Sequence, residues 1–171
     1  AAGDAGGAVG AAYNVSNFLD CGKRRIIKQS AYWGPEFSDE DIALMLKTSS
    51  DLLSDENTHY EKYCNEEELV RDIAFDLSQG FVVGWFQGRM EWGPRALGNR
   101  SILGDPRRAD MKDILNLKIK RRESFRPFAP SILRERVADW FEDDDEVPYM
   151  MQVLKIKQSV RYKIPAVTHV D

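Results

Sequence analysis

Apolar and polar residues follow one another along this chain in short blocks, most of them with their own start and stop signals. Residues 1–13, AAGDAGGAVGAAY, are small and closely spaced, suited to a turn that runs into a closely packed helix. A polar stretch containing Pro35 then reads as a linker. Ser38-Asp39-Glu40-Asp41 offers a capping box ahead of Ile42, Leu44, Met45 and Leu46, which predicts a short helix. Periodicity is weak over 49–64, a region of loop and turn. Asn65 through Glu68 repeats the capping arrangement. Leu69, Val70, Ile73, Ala74 and Leu77 then share one helical face, and Gly80 stands where a helix C-terminus needs a left-handed residue. Phe81 to Phe86 (FVVGWF) is a continuous apolar run bounded by glycines, the pattern of a buried strand.

Beyond it the pattern loosens. Residues 87–101 keep no sustained period and contain three glycines, so a loop or a loop with a short helix is expected. Asp105-Pro106 fits an N-cap followed by proline in the first turn, opening a helix through Met111, Ile114, Leu115 and Leu117. Residues 126–133 hold two prolines and predict an extended segment at a sheet edge. Val137 to Phe141 predicts a short helix, Glu142 to Glu146 a solvated acidic loop, and Gln152 to Lys157 a half-buried strand. Strands and helices interleave, which gives an α/β class with a mixed twisted sheet and flanking helices.

Length and composition bound this picture without changing it. A chain of 171 residues, 43% hydrophobic, can bury a sizeable core without disulfide or metal staples. Cys21 and Cys64 lie in no metal or redox spacing and read as ordinary thiols of a reducing cytoplasm. No run of about 18 apolar residues predicts a membrane span. The opening at Ala1 carries no signal-peptide pattern and reads as an internal cut in a longer chain.

Charge is where the chain becomes specific. From Gln87 to Arg126 there are eleven Lys and Arg against five Asp and Glu, while the whole chain holds 24 basic and 28 acidic residues. Positive charge is therefore gathered into one segment of an acidic protein. Arg89, Arg95 and Arg100 form one group, and Lys120, Arg121, Arg122 and Arg126 another. Guanidinium forks bind phosphate oxygens bidentately, and Gly88, Gly93 and Gly98 would let backbone amides approach an anion. A solvated, salt-bridged basic face has the same composition. Trp85, Trp92, Phe125 and Phe128 among the arginines, with prolines in both loops, favour a concave seat for a small, multiply charged anion. No nucleophile motif or carboxylate pair accompanies them, so the implied chemistry is positioning and charge stabilisation. Asp4, in a Gly-rich turn, is a weak metal candidate, and His59 and His169 have no partner at ligand spacing.

The strings GDAGGAVGAA, GWFQGRMEWGPRALGNRSILGDPR, KIKRRESFRPFAPS and IPAVTHVD resemble the C-terminal part of the carbamoyltransferase family that includes nodulation protein U and the antibiotic O-carbamoyltransferases. The resemblance implies that residues 1–34 are the tail of an actin-like, ATPase-class domain with its linker. Residues 35–171 would then form a YrdC-like domain. It implies binding of carbamoyl phosphate and ATP, formation of a carbamoyl-adenylate, and transfer to a hydroxylated small-molecule acceptor in the preceding domain. By motif, Arg122 and Arg126, with Lys120, are the catalytic contacts, and Arg89, Arg95, Arg100 and Ser101 complete the binding pocket. Asp4 matches a metal ligand for iron or magnesium, but the His-containing motif that supplies the other ligands is absent from this sequence. A non-catalytic nucleotide- or phosphate-binding regulatory module is the alternative.

A net charge of −4 with one basic segment argues against a dedicated nucleic-acid binder. Duplex RNA and DNA are expected to bind only non-specifically, with Kd on the order of 10⁻⁴–10⁻⁶ M near physiological salt. A gel-shift titration with sub-micromolar, sequence-dependent binding would contradict that.

Overall fold

The structure, a computed structural model, describes residues 4–20, 30–49, 54 and 56–169. Helix α1 spans Asp4–Leu19. The glycine-rich opening is therefore helical from Asp4 onward, and the turn expected ahead of the helix could fall only on residues 1–3, outside the described residues. Among the described residues, nothing lies within 4 Å of where a Cβ would stand on Gly7 or Gly10, so these glycines show none of the expected close packing.

Helix α2 (Asp39–Thr48) starts as its sequence predicts. The Asp41 amide donates to Ser38 Oγ at 3.2 Å, and the Ser38 amide donates to Asp41 Oδ2 at 2.9 Å. Helix α3 (Glu66–Ser78) is capped by Asn65, whose Oδ1 accepts from the Glu67 amide at 2.9 Å. Three glutamates in its first turn complement the helix dipole. At the other end the Phe81 amide reaches back to Asp76 O and the Gly80 amide to Leu77 O, a Schellman closure. Gly80 sits at φ +90°, where a side chain is strained.

Strand β1 (Val83–Phe86) pairs antiparallel with β2 (Arg100–Leu103), Trp85 opposite Ser101 and Phe86 opposite Arg100. The run FVVGWF is thus not a buried strand. It is one edge of a two-stranded ladder, with Phe81 62% and Phe86 54% exposed. Arg100 and Ser101 belong to a strand and not to the preceding loop.

Asp105 does not cap a helix. Its buried carboxylate accepts from the Arg107 amide and Nε at 2.9 Å and from Nη2 at 2.7 Å, which uses it up in a local turn. Helix α4 starts later, at Met111–Asp113, and runs directly into a π-helix, Ile114–Ile119. The wider i→i+5 turn changes which side chains face inward. Leu115 and Asn116 are buried, whereas Leu117, expected on the apolar face, is 56% exposed.

The C-terminal part is mostly irregular. A 3₁₀ turn at Arg134–Arg136 leads into α5 (Val137–Trp140), and 3₁₀ turns recur at Arg161–Lys163 and Pro165–Val167. Residues 126–133 form no ladder. The strand expected over 152–157 reduces to one bridge, Phe141 with Ile156, while Val153 is 92% exposed. The acidic loop stays at the surface, with Asp144 accepting from Arg134 Nη1 at 2.6 Å.

Among the described residues the interior is two small clusters and not one sizeable core. Val137, Phe141, Ile156 and Ile164 form the first. Met111, Leu115 and Ala166 form the second, with Val82, Ile114 and Phe128 packed against it. Helices with one small antiparallel sheet are compatible with the α/β class, and the mixed twisted sheet reduces to two strands. None of the described helices is long and apolar enough to cross a membrane.

Gly80→Ala puts a Cβ at φ +90° and into the Arg108 side chain, 1.8 Å from Nη1. Urea unfolding of this variant is expected to show a loss of about 1 kcal/mol or more. Unchanged stability would mean that the α3 closure contributes little.

Candidate anion-binding site

The two arginine groups sit on two separately built loops that grow from the same apolar cluster. Val82 leads into β1 and the first loop, and Phe128 closes the second.

The first loop, 87–99, is organised by a residue that the sequence reading passed over. Glu91 is 5% exposed, and its Oε1 accepts from the amides of Leu97 (2.7 Å), Asn99 (2.8 Å) and Arg100 (3.2 Å). Gly98, at φ +116°, lets the amides on either side of it converge on one oxygen, and its own amide donates to Ser101 Oγ at 3.1 Å. Burial pushes the Glu91 carboxyl up, but the amides of Leu97, Asn99 and Arg100 more than offset it, leaving the group below the usual carboxylate range. Asn99 links the loop ends, donating to Arg89 O at 2.7 Å and accepting from Gln87 at 3.1 Å. The segment expected to be linker is fastened here too: the Gly34 amide donates to Met90 O and the Met90 amide to Pro35 O, each at 2.9 Å. Trp92 Nε1 donates to Ala5 O in α1 at 3.2 Å.

These contacts sort the first arginine group. Arg100 is a staple: Nη1 donates to Gln87 O and Asn99 O, Nη2 to Gly88 O, and the guanidinium lies 3.5 Å from the Phe86 ring centroid. Arg89 faces Glu36 at 3.9 Å. Arg95 is exposed, and its guanidinium makes no hydrogen bond or ion pair among the described residues.

The second loop, 120–128, turns at Arg121, a non-glycine residue at φ +48°. The Lys120 amide donates to Leu115 O and the Arg122 amide to Asn116 O, both at 2.9 Å. Arg122 Nε donates to Asn116 Oδ1 at 2.7 Å, and its guanidinium lies over the Phe128 ring at 4.9 Å. Arg126 Nε donates to Glu123 Oε2 at 2.8 Å. The Glu123 carboxyl is held below its ordinary value by its own backbone amide, then by Arg126 and by Arg122. Arg126 pairs with this carboxylate directly, and Arg122 contributes charge without a contact of its own. Lys120 is exposed, and its ammonium has no partner among the described residues.

Asn116 bonds both the Arg122 side chain and the Arg126 backbone carbonyl, while Glu123 pairs with Arg126. No hydrogen bond or ion pair joins them to Arg89, Arg95, Arg100 or Ser101 among the described residues. His169, without a partner by spacing, comes next to this loop, Nε2 lying 3.1 Å from Phe128 O. Sequence carried faint signals for the two organisers. Glu91 is the single acidic residue between Gln87 and Gly104, and Asn116 interrupts an apolar run. The backbone of Asp4 opens α1, and the expected metal contact of its side chain lies outside the described residues. Among the described residues no three His, Cys, Asp or Glu side chains gather as a metal ion needs.

Residues 74–171 match the family described as carbamoyltransferase C-terminus, and this chain belongs to the carbamoyltransferase family. Nodulation protein NolO of Bradyrhizobium diazoefficiens is 41% identical over 175 residues, covering 100% of this chain and 30% of its own length. The 3'-hydroxymethylcephem-O-carbamoyltransferase of Amycolatopsis lactamdurans is 47% identical over 100 residues, 58% of this chain and 19% of its own length. Nodulation protein U of Sinorhizobium fredii is 43% identical over 102 residues, 60% of this chain and 18% of its own length. The chain thus spans about a third or less of these relatives.

Glu91→Gln keeps the acceptor geometry and removes the charge. Because the folded-state pKa of Glu91 is lowered, its ionised form adds stability above the unfolded value of about 4.3, and that contribution is lost as pH falls through the folded-state value. Wild type is expected to exceed Glu91→Gln by about 1.5–3 kcal/mol at neutral pH, with the gap shrinking toward pH 3. Denaturant titrations at both pH values check this, and a pH-independent gap would contradict it.

Proposed function

We propose that this chain is the part of an O-carbamoyltransferase that binds carbamoyl phosphate and ATP and forms a carbamoyl-adenylate. The observation that carries the reading is the Arg122–Arg126 pair. Arg126 pairs with one exposed carboxylate, Glu123, and Asn116 holds Arg122 on the same loop; in this reading a phosphate would replace that carboxylate. Family membership supplies the carbamoyl group. In this reading the domain is YrdC-like, and the preceding part of the parent protein, actin-like, carries the acceptor hydroxyl.

Atom balance sets what the site has to do. Water releases phosphate from carbamoyl phosphate, and an oxygen of the resulting carbamate attacks the α-phosphorus of ATP. A P–O bond forms as the bond to pyrophosphate breaks, so phosphate and pyrophosphate both leave. Arg122 and Arg126 neutralise the charge on the transferring phosphoryl oxygens, and Lys120 adds a compact positive charge. Glu123 must release Arg126 for a phosphate to enter. Arg95 is the member of the first group with a free fork, while Arg100 and Ser101 hold the loop that presents it.

Carbamoyl-phosphate-dependent release of pyrophosphate from ATP tests the reaction, and binding without turnover would favour a non-catalytic anion module. Arg126→Ala is expected to weaken binding of carbamoyl phosphate or ATP about ten- to a hundredfold with the melting temperature nearly unchanged. Arg126→Lys should recover only part, because an ammonium cannot reproduce the fork. Calorimetric titration decides: wild-type affinity in Arg126→Ala would mean that the pair is structural.

A further inference from the structure

We infer that Asn116 is the positioning residue of this site, holding the guanidinium of Arg122 with its side-chain oxygen and closing the Arg126 loop with its side-chain amide. What the guanidinium is aimed at rests on the phosphate-binding reading above; the hold itself does not.

Asn116 is fully buried. Its Nδ2 donates both protons, to Ser124 O at 3.2 Å and Arg126 O at 2.9 Å. Its Oδ1 accepts from Arg122 Nε at 2.7 Å, and its backbone carbonyl accepts from the Arg122 amide at 2.9 Å. One side chain therefore ties down residues 122, 124 and 126, and it does so with two donors and an acceptor, the inventory of a carboxamide. Aspartate supplies no donor and would set a charge against two carbonyls. Leucine, of similar volume, would leave Nε and both carbonyls unpaired.

Two departures from regular backbone bring this about. The π-turn carries Asn116 to the buried side beside Leu115. Arg121, at φ +48°, then reverses the chain so that the Arg122 amide returns to Asn116 O. A left-handed non-glycine residue persists where neighbouring bonds over-determine it, and Asn116 supplies those bonds. The contact consumes only Nε of Arg122, and Phe128 covers a face of the guanidinium. The two terminal nitrogens, which form an end-on fork, make no hydrogen bond among the described residues. A guanidinium already fixed loses less rotamer freedom when an anion binds.

The test uses the full chain, carbamoyl phosphate as calorimetric probe, and ¹H–¹⁵N spectra of the arginine side chains. In the wild type the Arg122 Nε proton is expected to exchange slowly. In Asn116→Ala it should exchange freely, and carbamoyl phosphate should bind about tenfold more weakly. The double variant with Arg122→Ala should then lose less affinity than the two single losses combined, the non-additivity of residues that share a partner. Asn116→Asp keeps the acceptor, so slow exchange at Arg122 should survive there; this variant decides if Asn116→Ala does not fold. Slow exchange persisting in Asn116→Ala, or its loss in a folded Asn116→Asp, overturns the inference. So does wild-type affinity in Asn116→Ala where Arg122→Ala has lost it. A wild-type chain that does not bind carbamoyl phosphate contradicts the proposed function instead, and the Arg122 exchange still decides the hold.

Discussion

A polar side chain shut away from water must find its hydrogen bonds within the protein, and in this chain that constraint shapes both arginine loops. Asn116 has no solvent contact, and Glu91 has almost none. Each answers the constraint by gathering backbone groups of a loop that would otherwise have little to hold it. Glu91 collects three amides on one oxygen, and Asn116 collects two carbonyls, an amide and a guanidinium nitrogen. Removing either side chain would leave the groups it bonds unpaired in partly buried surroundings, where each costs about 1–3 kcal/mol; the Arg122 amide, held by the Asn116 backbone carbonyl, is the exception. The irregular backbone between residues 87 and 128 is thus fixed by side chains more than by ladders or helices.

That arrangement divides the positive charge by task. Arg100 donates to carbonyls and stacks on Phe86, and Arg107 and Arg108 pair with Asp105 and Asp110 at 2.7 Å. These three support the scaffold. Among the described residues, Arg95 and Lys120 are exposed without partners, and the terminal nitrogens of Arg122 make no hydrogen bond. Arg126 is paired with an exposed glutamate, an interaction that contributes little in water. A basic segment that by composition could be a salt-bridged face is therefore both: some of its arginines build, and the remainder stay available.

The local signals in the sequence translated well where they were self-contained. Ser38 with Asp41, Asn65 with Glu67, and Gly80 with its two closing bonds are capping devices in which neighbours in sequence satisfy one another. Elements that depend on distant partners did not. FVVGWF is apolar enough for a buried strand, but its ladder has only one neighbour. Asp105 has an N-cap's chemistry, and Arg107 reaches it first. The π-turn is invisible to a 3.6-residue period, which left Asn116 unremarked and put Leu117 on the apolar face. That Arg122 and Arg126 are candidate anion contacts was readable from the motif. The residue that holds them was not, because its partners are carbonyls, which carry no signal in a sequence.

Whether the seat stands before any ligand arrives is measured most directly by hydrogen–deuterium exchange of the ligand-free chain. The amides of Leu97, Asn99 and Arg100 bond to Glu91 and that of Arg122 to Asn116. The β1–β2 ladder serves as the internal reference. Pre-organised loops predict protection at these four amides at least equal to that of the ladder. Exchange at the rate of an unstructured chain, with protection appearing only on addition of carbamoyl phosphate or ATP, would show that the ligand builds the loops and that Glu91 and Asn116 do not.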